Sequence, residues 1–100
     1  MTPLLPVSAL SEGQMVACRA GDREVLVCLV EGQYYALENC CSHAGQRLSS
    51  GRLKGYELSC PLHRAKFDVR TGTALSAPAT EPIASYPVIL EGGKVKVTLA

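Results

Sequence analysis

Two short segments of this sequence each pair a thiol with an imidazole. One is Cys41-Ser42-His43; the other, sixteen residues further on, is Cys60-Pro61-Leu62-His63. The chain has two histidines, and both fall in these segments together with two of the five cysteines. A buried cysteine beside a surface histidine arises easily once. Two such pairs that use every histidine present point instead to a metal-ligand set. Tetrahedral zinc accepts Cys2His2 donors, but zinc fingers usually draw both thiolates from one knuckle and both imidazoles from another. One of each per loop suits a two-iron cluster, in which one iron takes the thiolates and the other the imidazoles. The register of the first segment is open, because Cys40-x-x-His43 would mirror the second.

The elements that must hold these segments read as short strands separated by glycine and proline. Gln14–Arg19 and Glu24–Val30 are apolar-rich, with Gly21-Asp22 as a turn between them. Glu31-Gly32-Gln33 makes a second turn, and Gln33–Glu38 with Tyr34 and Tyr35 is the next strand. Tyr56–Ser59, Lys66–Val69 and Ile83–Leu90 follow, and Glu91-Gly92-Gly93-Lys94 turns the chain into Lys94–Leu99, where Val95, Val97 and Leu99 alternate with polar residues. No long stretch has helical periodicity without a breaker. The pattern predicts an all-β fold, an antiparallel sandwich or small barrel. Asn39–Ser59 reads as a long irregular stretch with little for a core beyond Cys40-Cys41, and such stretches are usually functional. Cys18 and Cys28 fall in expected strands and read as small buried hydrophobes.

The whole chain sets wider limits. Its 100 residues predict a single domain over residues 1–100, with the ligand loops inside 39–72. With 47% apolar and 19% charged residues it is expected to fold rather than stay disordered. The net charge of +1 argues neither for nor against nucleic acid, and no nucleic-acid partner is expected. Met1-Thr2-Pro3-Leu4-Leu5-Pro6 has no basic region and is broken by two prolines, so neither a signal peptide nor a membrane span is expected. A cytoplasmic location follows, where an odd number of cysteines favours metal binding over disulfides.

Cys41-x-His43 with Cys60-x-x-His63 resembles the ligand motif of Rieske iron–sulfur proteins. The likeness extends to Gly51 behind the first loop, to Phe67-Asp68-Val69-Arg70-Thr71-Gly72 behind the second, and to Pro78, Ala79 and Pro82 before Tyr86-Pro87-Val88. It runs from about Gln14 to Leu99. The resemblance implies a Rieske fold of stacked antiparallel sheets with a small cluster-binding subdomain. It also implies one [2Fe–2S] cluster held by Cys41, His43, Cys60 and His63, with Cys40 as a structural or spectator thiol, and a proline segment packed beside the cluster.

Departures from the family pattern refine this expectation. Pro61-Leu62 leaves no cysteine in the second loop for the bracing disulfide of respiratory Rieske proteins. The serine and tyrosine whose hydroxyls donate to the cluster sulfurs in those proteins correspond to Ala65 and Phe67. Reduction adds a negative charge to the cluster, and without those donors the charge is less stabilised, so a potential near the low end of the Rieske range, about −150 mV, is expected. Such a carrier resembles the ferredoxin of aromatic-ring-hydroxylating dioxygenase systems. That resemblance implies a monomeric electron carrier, not an enzyme by itself, between a flavin-containing NAD(P)H reductase and a terminal oxygenase. No histidine remains for a second iron site. The rivals are the Rieske-like small subunit of an assimilatory nitrite reductase, which often lacks the ligands, and a zinc-stabilised interaction module. Charge is uneven: residues 39–72 hold Arg47, Arg52, Lys54, Arg64, Lys66 and Arg70 against Glu57 and Asp68. Residues 1–38 are acidic on balance. A basic docking surface for an acidic partner, around exposed His43 and His63 and using Arg47, Arg64 and Lys66, is expected.

Overall fold

The computed structural model describes residues 2–40, 47–61, 65–76 and 81–99. Its central strand is β3, Arg23–Val30, in which every residue from Val25 to Val30 is buried. Successive side chains of a strand point to opposite faces. Leu26, Cys28 and Val30 therefore enter one core, with Leu37, Leu48, Leu58, Phe67, Val69 and Ile83. Val25, Val27 and Leu29 enter a second, with Leu5, Leu10, Ala36, Val95 and Val97. A strand with an unbroken apolar run must be covered on both sides, and here it is.

β3 lies in a central sheet ordered β2-β3-β4-β9, where β2 is Met15–Ala20, β4 is Gln33–Glu38 and β9 is Ser85–Tyr86. One face packs on a terminal sheet, β1-β11-β10, formed by Thr2–Pro6, Lys94–Val97 and Val88–Glu91. The other packs on a loop sheet, β5-β6-β7-β8, formed by Arg52–Lys54, Glu57–Ser59, Lys66–Asp68 and Ala74–Ser76. All the strand pairs are antiparallel. The sheets are open and stacked, as expected of the sandwich and not of a closed barrel.

The expected strands and turns from Gln14 to Glu38 stand where the sequence places them, within one residue. Two expectations need correction, and one element was not foreseen. Ile83–Leu90 is not one strand. Pro87 supplies no N–H for a ladder, and the chain changes sheet there: Ser85–Tyr86 pairs with β4, while Val88–Glu91 pairs with β11. The proline-broken N-terminus, for which no element was expected, forms a strand. β1 is an edge strand with an irregularity between Pro3 and Leu5, a setting that tolerates proline. Finally, Asn39–Ser59 is not bare of core residues, because Leu48 and Leu58 are completely buried and β5 and β6 run through it. Cys28 is buried as expected, and burial pushes its thiol up to about 12, whereas Cys18 is only half-buried.

Tyr56, in the turn between β5 and β6, ties the loop sheet to the central sheet. Its hydroxyl donates to the carboxylate of Glu31, in the β3–β4 turn, and this bond is the main reason its own ionisation is pushed up to about 12. Its ring meets Tyr35 edge to face at 6.1 Å, and the Arg70 guanidinium lies 4.1 Å above it. Asp68 holds Arg70 there, accepting from its backbone N at 2.9 Å, Nε at 3.0 Å and Nη2 at 2.8 Å. The side-chain bonds from Arg70 keep the Asp68 carboxyl below its ordinary value. A carboxyl depressed in the folded state stabilises the fold above its unfolded value, near pH ~3.9, and that contribution fades as pH falls through the folded value. Asp68→Asn is expected to cost on the order of 1 kcal/mol at neutral pH, after allowance for the half-exposed Arg70, and to flatten the acid limb of stability below about pH 4. Urea titrations of both proteins across pH 2–7 check this; parallel acid limbs would contradict it.

Candidate metal centre

The second ligand segment joins β6 to β7. Cys60 follows directly on β6 and is 3% exposed, packed in the core with Leu48, Leu58, Ala65 and Phe67. Its backbone N–H donates to the carbonyl of Ala65 at 2.7 Å. That bond closes the base of the connection between Cys60 and Ala65. Alternation along β6 and β7 sends Leu58 and Phe67, which are register partners, into the core. The loop thus stands at the end of a rigid hairpin.

The first ligand segment is closed by a side chain that the sequence reading passed over. Asn39 is 4% exposed and is the one buried polar residue among those described. Its Oδ1 accepts from the Ser49 N–H at 2.8 Å, and its Nδ2 donates to Ser49 Oγ and to Glu24 Oε1, both at 3.2 Å. Arg47 Nε reaches the same Glu24 oxygen at 3.3 Å. Residues 39 and 49 therefore form the neck of a loop, and the neck is anchored on β3 through Glu24. The one signal in the sequence is an asparagine immediately before Cys40-Cys41, a residue type that often bonds local backbone.

The two necks touch. Gly51 is packed so closely that a Cβ added there would sit 1.8 Å from the Ser59 carbonyl oxygen, next to Cys60. Only glycine permits this approach. A second glycine acts behind the other loop. Gly72, at φ +82°, donates its N–H to the Asp68 carbonyl and accepts from the Ile83 N–H at 2.9 Å, and a Cβ there would sit 2.1 Å from the Ile83 oxygen. It fixes the far end of the proline segment at buried Ile83, while Pro82 is exposed.

Of the four expected ligands, Cys60 is described; Cys41, His43 and His63 lie outside the described residues, as do Arg64, Pro78 and Ala79. Cys40 is half-buried, beside Asn39 on a cleft that Arg23, Glu38 and Tyr86 also line. The donor chemistry fits a cluster with two thiolate and two imidazole ligands. The sequence offers one thiol and one imidazole in each of two segments, and the described thiol, Cys60, is buried against Leu48, Leu58, Ala65 and Phe67. The cations near the site make ion pairs of their own, although Arg47 stays 69% exposed. Arg47 is paired with Glu24, and Lys66 lies 3.4 Å from Glu57. None of the ion pairs among the described residues uses Arg52 or Lys54.

Asn39→Ala leaves the Ser49 N–H without its acceptor and opens the neck. The expected cost is about 1–3 kcal/mol, with amide exchange at Ser49 accelerated by about tenfold or more. Hydrogen exchange resolved by NMR checks it. Unchanged protection at Ser49 would show that the neck is held by something else.

Against known proteins, residues 1–87 match the Rieske [2Fe-2S] domain. The chain is 43% identical over 91 residues to the ferredoxin component of the naphthalene 1,2-dioxygenase system of Pseudomonas aeruginosa, covering 91% of this chain and 88% of that protein. Among solved structures, it superposes with a TM-score of 0.89 on a chain in the complex of reduced oxygenase and oxidized ferredoxin in carbazole 1,9a-dioxygenase. That match has 33% identity over 95% of this chain and 89% of the other. The terminal oxygenase of carbazole 1,9a-dioxygenase from Nocardioides aromaticivorans IC177 is also similar, with a TM-score of 0.89 and 28% identity, but there the match covers 99% of this chain and only 30% of the oxygenase. With its two Cys/His segments, its stacked open sheets and a match that spans nearly its full length, the chain belongs to the Rieske [2Fe–2S] domain family.

Proposed function

We propose that this protein is an electron carrier that takes single electrons from a flavin-containing NAD(P)H reductase and delivers them to a terminal aromatic-ring-hydroxylating oxygenase. The observation that carries this reading is the extent of the match. It covers nine-tenths of a dioxygenase ferredoxin component but less than a third of an oxygenase chain. The sequence supports it independently, since both histidines are already used by the ligand motifs and none is left for a catalytic iron. In this reading the protein acts as a monomeric single domain in the cytoplasm.

The cluster, a [2Fe–2S] centre of Rieske type, gains and loses one electron. We assign its ligands as Cys41 and Cys60 to one iron and His43 and His63 to the other. The rest of the work falls to this chain's residues. Cys60 brings its thiolate from a buried position, and the Ala65 carbonyl fixes the backbone behind it. Leu48, Leu58 and Phe67 keep water from that side. Ala65 and Phe67, both completely buried, present no hydroxyl to a cluster sulfur, which supports a low potential. His43 and His63 each keep one ring nitrogen free of iron, and we place electron exchange at those edges.

Two experiments test this. Alanine at Cys41, His43, Cys60 or His63 is expected to abolish the Rieske visible and EPR spectra and to lower the melting temperature, because cluster binding is coupled to folding. Cys40→Ala is expected to keep most of the iron. If Cys40→Ala loses the spectrum while Cys41→Ala retains it, the ligand register is wrong. The second experiment is reconstitution with the reductase and oxygenase components of a naphthalene 1,2-dioxygenase system. The wild-type protein should restore NAD(P)H-dependent oxygenation and show a midpoint potential near −150 mV, to within about 50 mV. A protein with an intact cluster that neither accepts electrons from the reductase nor passes them on would refute the carrier reading.

A further inference from the structure

The outer face of the loop sheet presents one row of side chains that differs from the rest. Arg52 on β5 is the register partner of Ser59 on β6, and Ser59 is the partner of Lys66 on β7. Directly opposed residues in an antiparallel sheet point to the same face. The preceding register row, Leu53–Leu58–Phe67, faces the core, so Arg52, Ser59 and Lys66 share the outward face, and both cations are exposed. Two strand spacings put their backbones about 10 Å apart, with a half-buried serine between them. The next outward row, Lys54–Glu57–Asp68, has mixed charge. Positive charge is thus concentrated in the row beside the ligand loop.

That row borders a cleft of about 610 Å3 with Cys60 and Pro61 on its wall. Arg52 takes part in no ion pair among the described residues, and the one partner of Lys66, Glu57, is itself half exposed. Such a pair is weak and easily exchanged. The face therefore has two cations available beside a cluster ligand, in a cleft open enough to admit a side chain from another protein.

We infer that this cleft receives a carboxylate-bearing surface segment of the redox partner, an Asp or Glu seated between Arg52 and Lys66 with Ser59 donating to it, so that the partner grips the flank of the ligand loop and not only its tip. The inference rests on the carrier reading above. Charge complementarity names the occupant. Two like charges carried on strands about 10 Å apart, across a polar floor, attract an anionic group between them, and over such a distance an anchored carboxylate feels both at ordinary ionic strength. The row also gives direction. A partner held by Arg52 and Lys66 is held at the ligand-loop end of the sheet, because the adjoining row is not uniformly basic. Transient redox pairs have small interfaces, so two such contacts suffice to orient the encounter.

The test uses the cluster-loaded protein, wild type and Arg52→Glu, Arg52→Gln, Arg52→Lys and Lys94→Glu variants, in stopped-flow electron transfer with the naphthalene dioxygenase reductase and oxygenase. Lys94→Glu makes the same charge change on the terminal sheet. Arg52→Glu is expected to lower the second-order rate with at least one of the two proteins by about tenfold at low salt, and to come within about twofold of wild type at 0.5 M salt, with an unchanged cluster spectrum. Arg52→Gln should fall between, Arg52→Lys should largely retain the rate, and Lys94→Glu should stay within about twofold. Equal losses in Arg52→Glu and Lys94→Glu would show that only net charge matters and would overturn the inference, as would an Arg52→Glu rate equal to wild type with both proteins. Saturable competition by millimolar phosphate at constant ionic strength would mark a small-anion site and also overturn it. Should Arg52→Glu lose its spectrum, the Arg52→Gln rate decides by the same criterion. A wild-type protein that exchanges electrons with neither component would refute the carrier reading itself, a result distinct from all of these.

Discussion

The contact between Gly51 and the Ser59 carbonyl is the constraint on which the site depends. A cluster shared by two loops needs those loops to stay in register with each other, and the loops are separated in sequence by a whole hairpin. The structure solves this at the bases of the loops. Asn39 closes one by bonding Ser49, Cys60 closes the other by bonding Ala65, and Gly51 lets the two bases meet at backbone distance. Fixing the two necks removes backbone freedom that would otherwise be lost when a metal centre is bound.

The necks in turn need a foundation, which β3 supplies. Glu24 takes both Asn39 and Arg47, and the six residues from Val25 onward are buried between two sheets. Burying a Val or Leu side chain contributes about 1.5–3 kcal/mol, so an element covered on both faces is among the least mobile parts of a small fold. The first ligand loop is tied to that element by a charged hydrogen-bond network. The second is tied to it through the core that Leu58, Phe67, Leu26 and Cys28 share. Tyr56 adds a peripheral clasp between the same two sheets through Glu31, Tyr35 and Arg70. A rigid mount suits a centre that changes only its charge, because little structural reorganisation accompanies a gained or lost electron.

Charge around the mount is divided between structure and surface. Of the basic segment, Arg47, Lys66 and Arg70 pair within the molecule with Glu24, Glu57 and Asp68, and among the described residues Arg52 does not. Arg52 and Lys66 emerge as the outward-facing pair beside Cys60. Counting charges along the chain identifies the basic region but not which of its members is available to another protein.

Some of this was written in the sequence itself. The ligand pattern is a matter of residue type and spacing, and Cys41-x-His43 with Cys60-x-x-His63 is specific enough to indicate its cofactor. The strands from Gln14 to Glu38 follow from long apolar runs and two-residue turns, which are local properties. What the sequence could not settle depends on pairs of residues far apart in the chain. The β5 and β8 strands have three residues each, too few to show a period, and they exist because their neighbours supply the ladder. Thr2–Pro6 is a strand only because β11 accepts it as an edge, and Pro87 divides what reads as one strand because two different sheets claim its flanks. Asn39 looks like any loop asparagine until Ser49 is placed against it. Arg52, Ser59 and Lys66 form a row only once three strands are in register, since facing and burial are set by the partner strand and not by the strand's own residues.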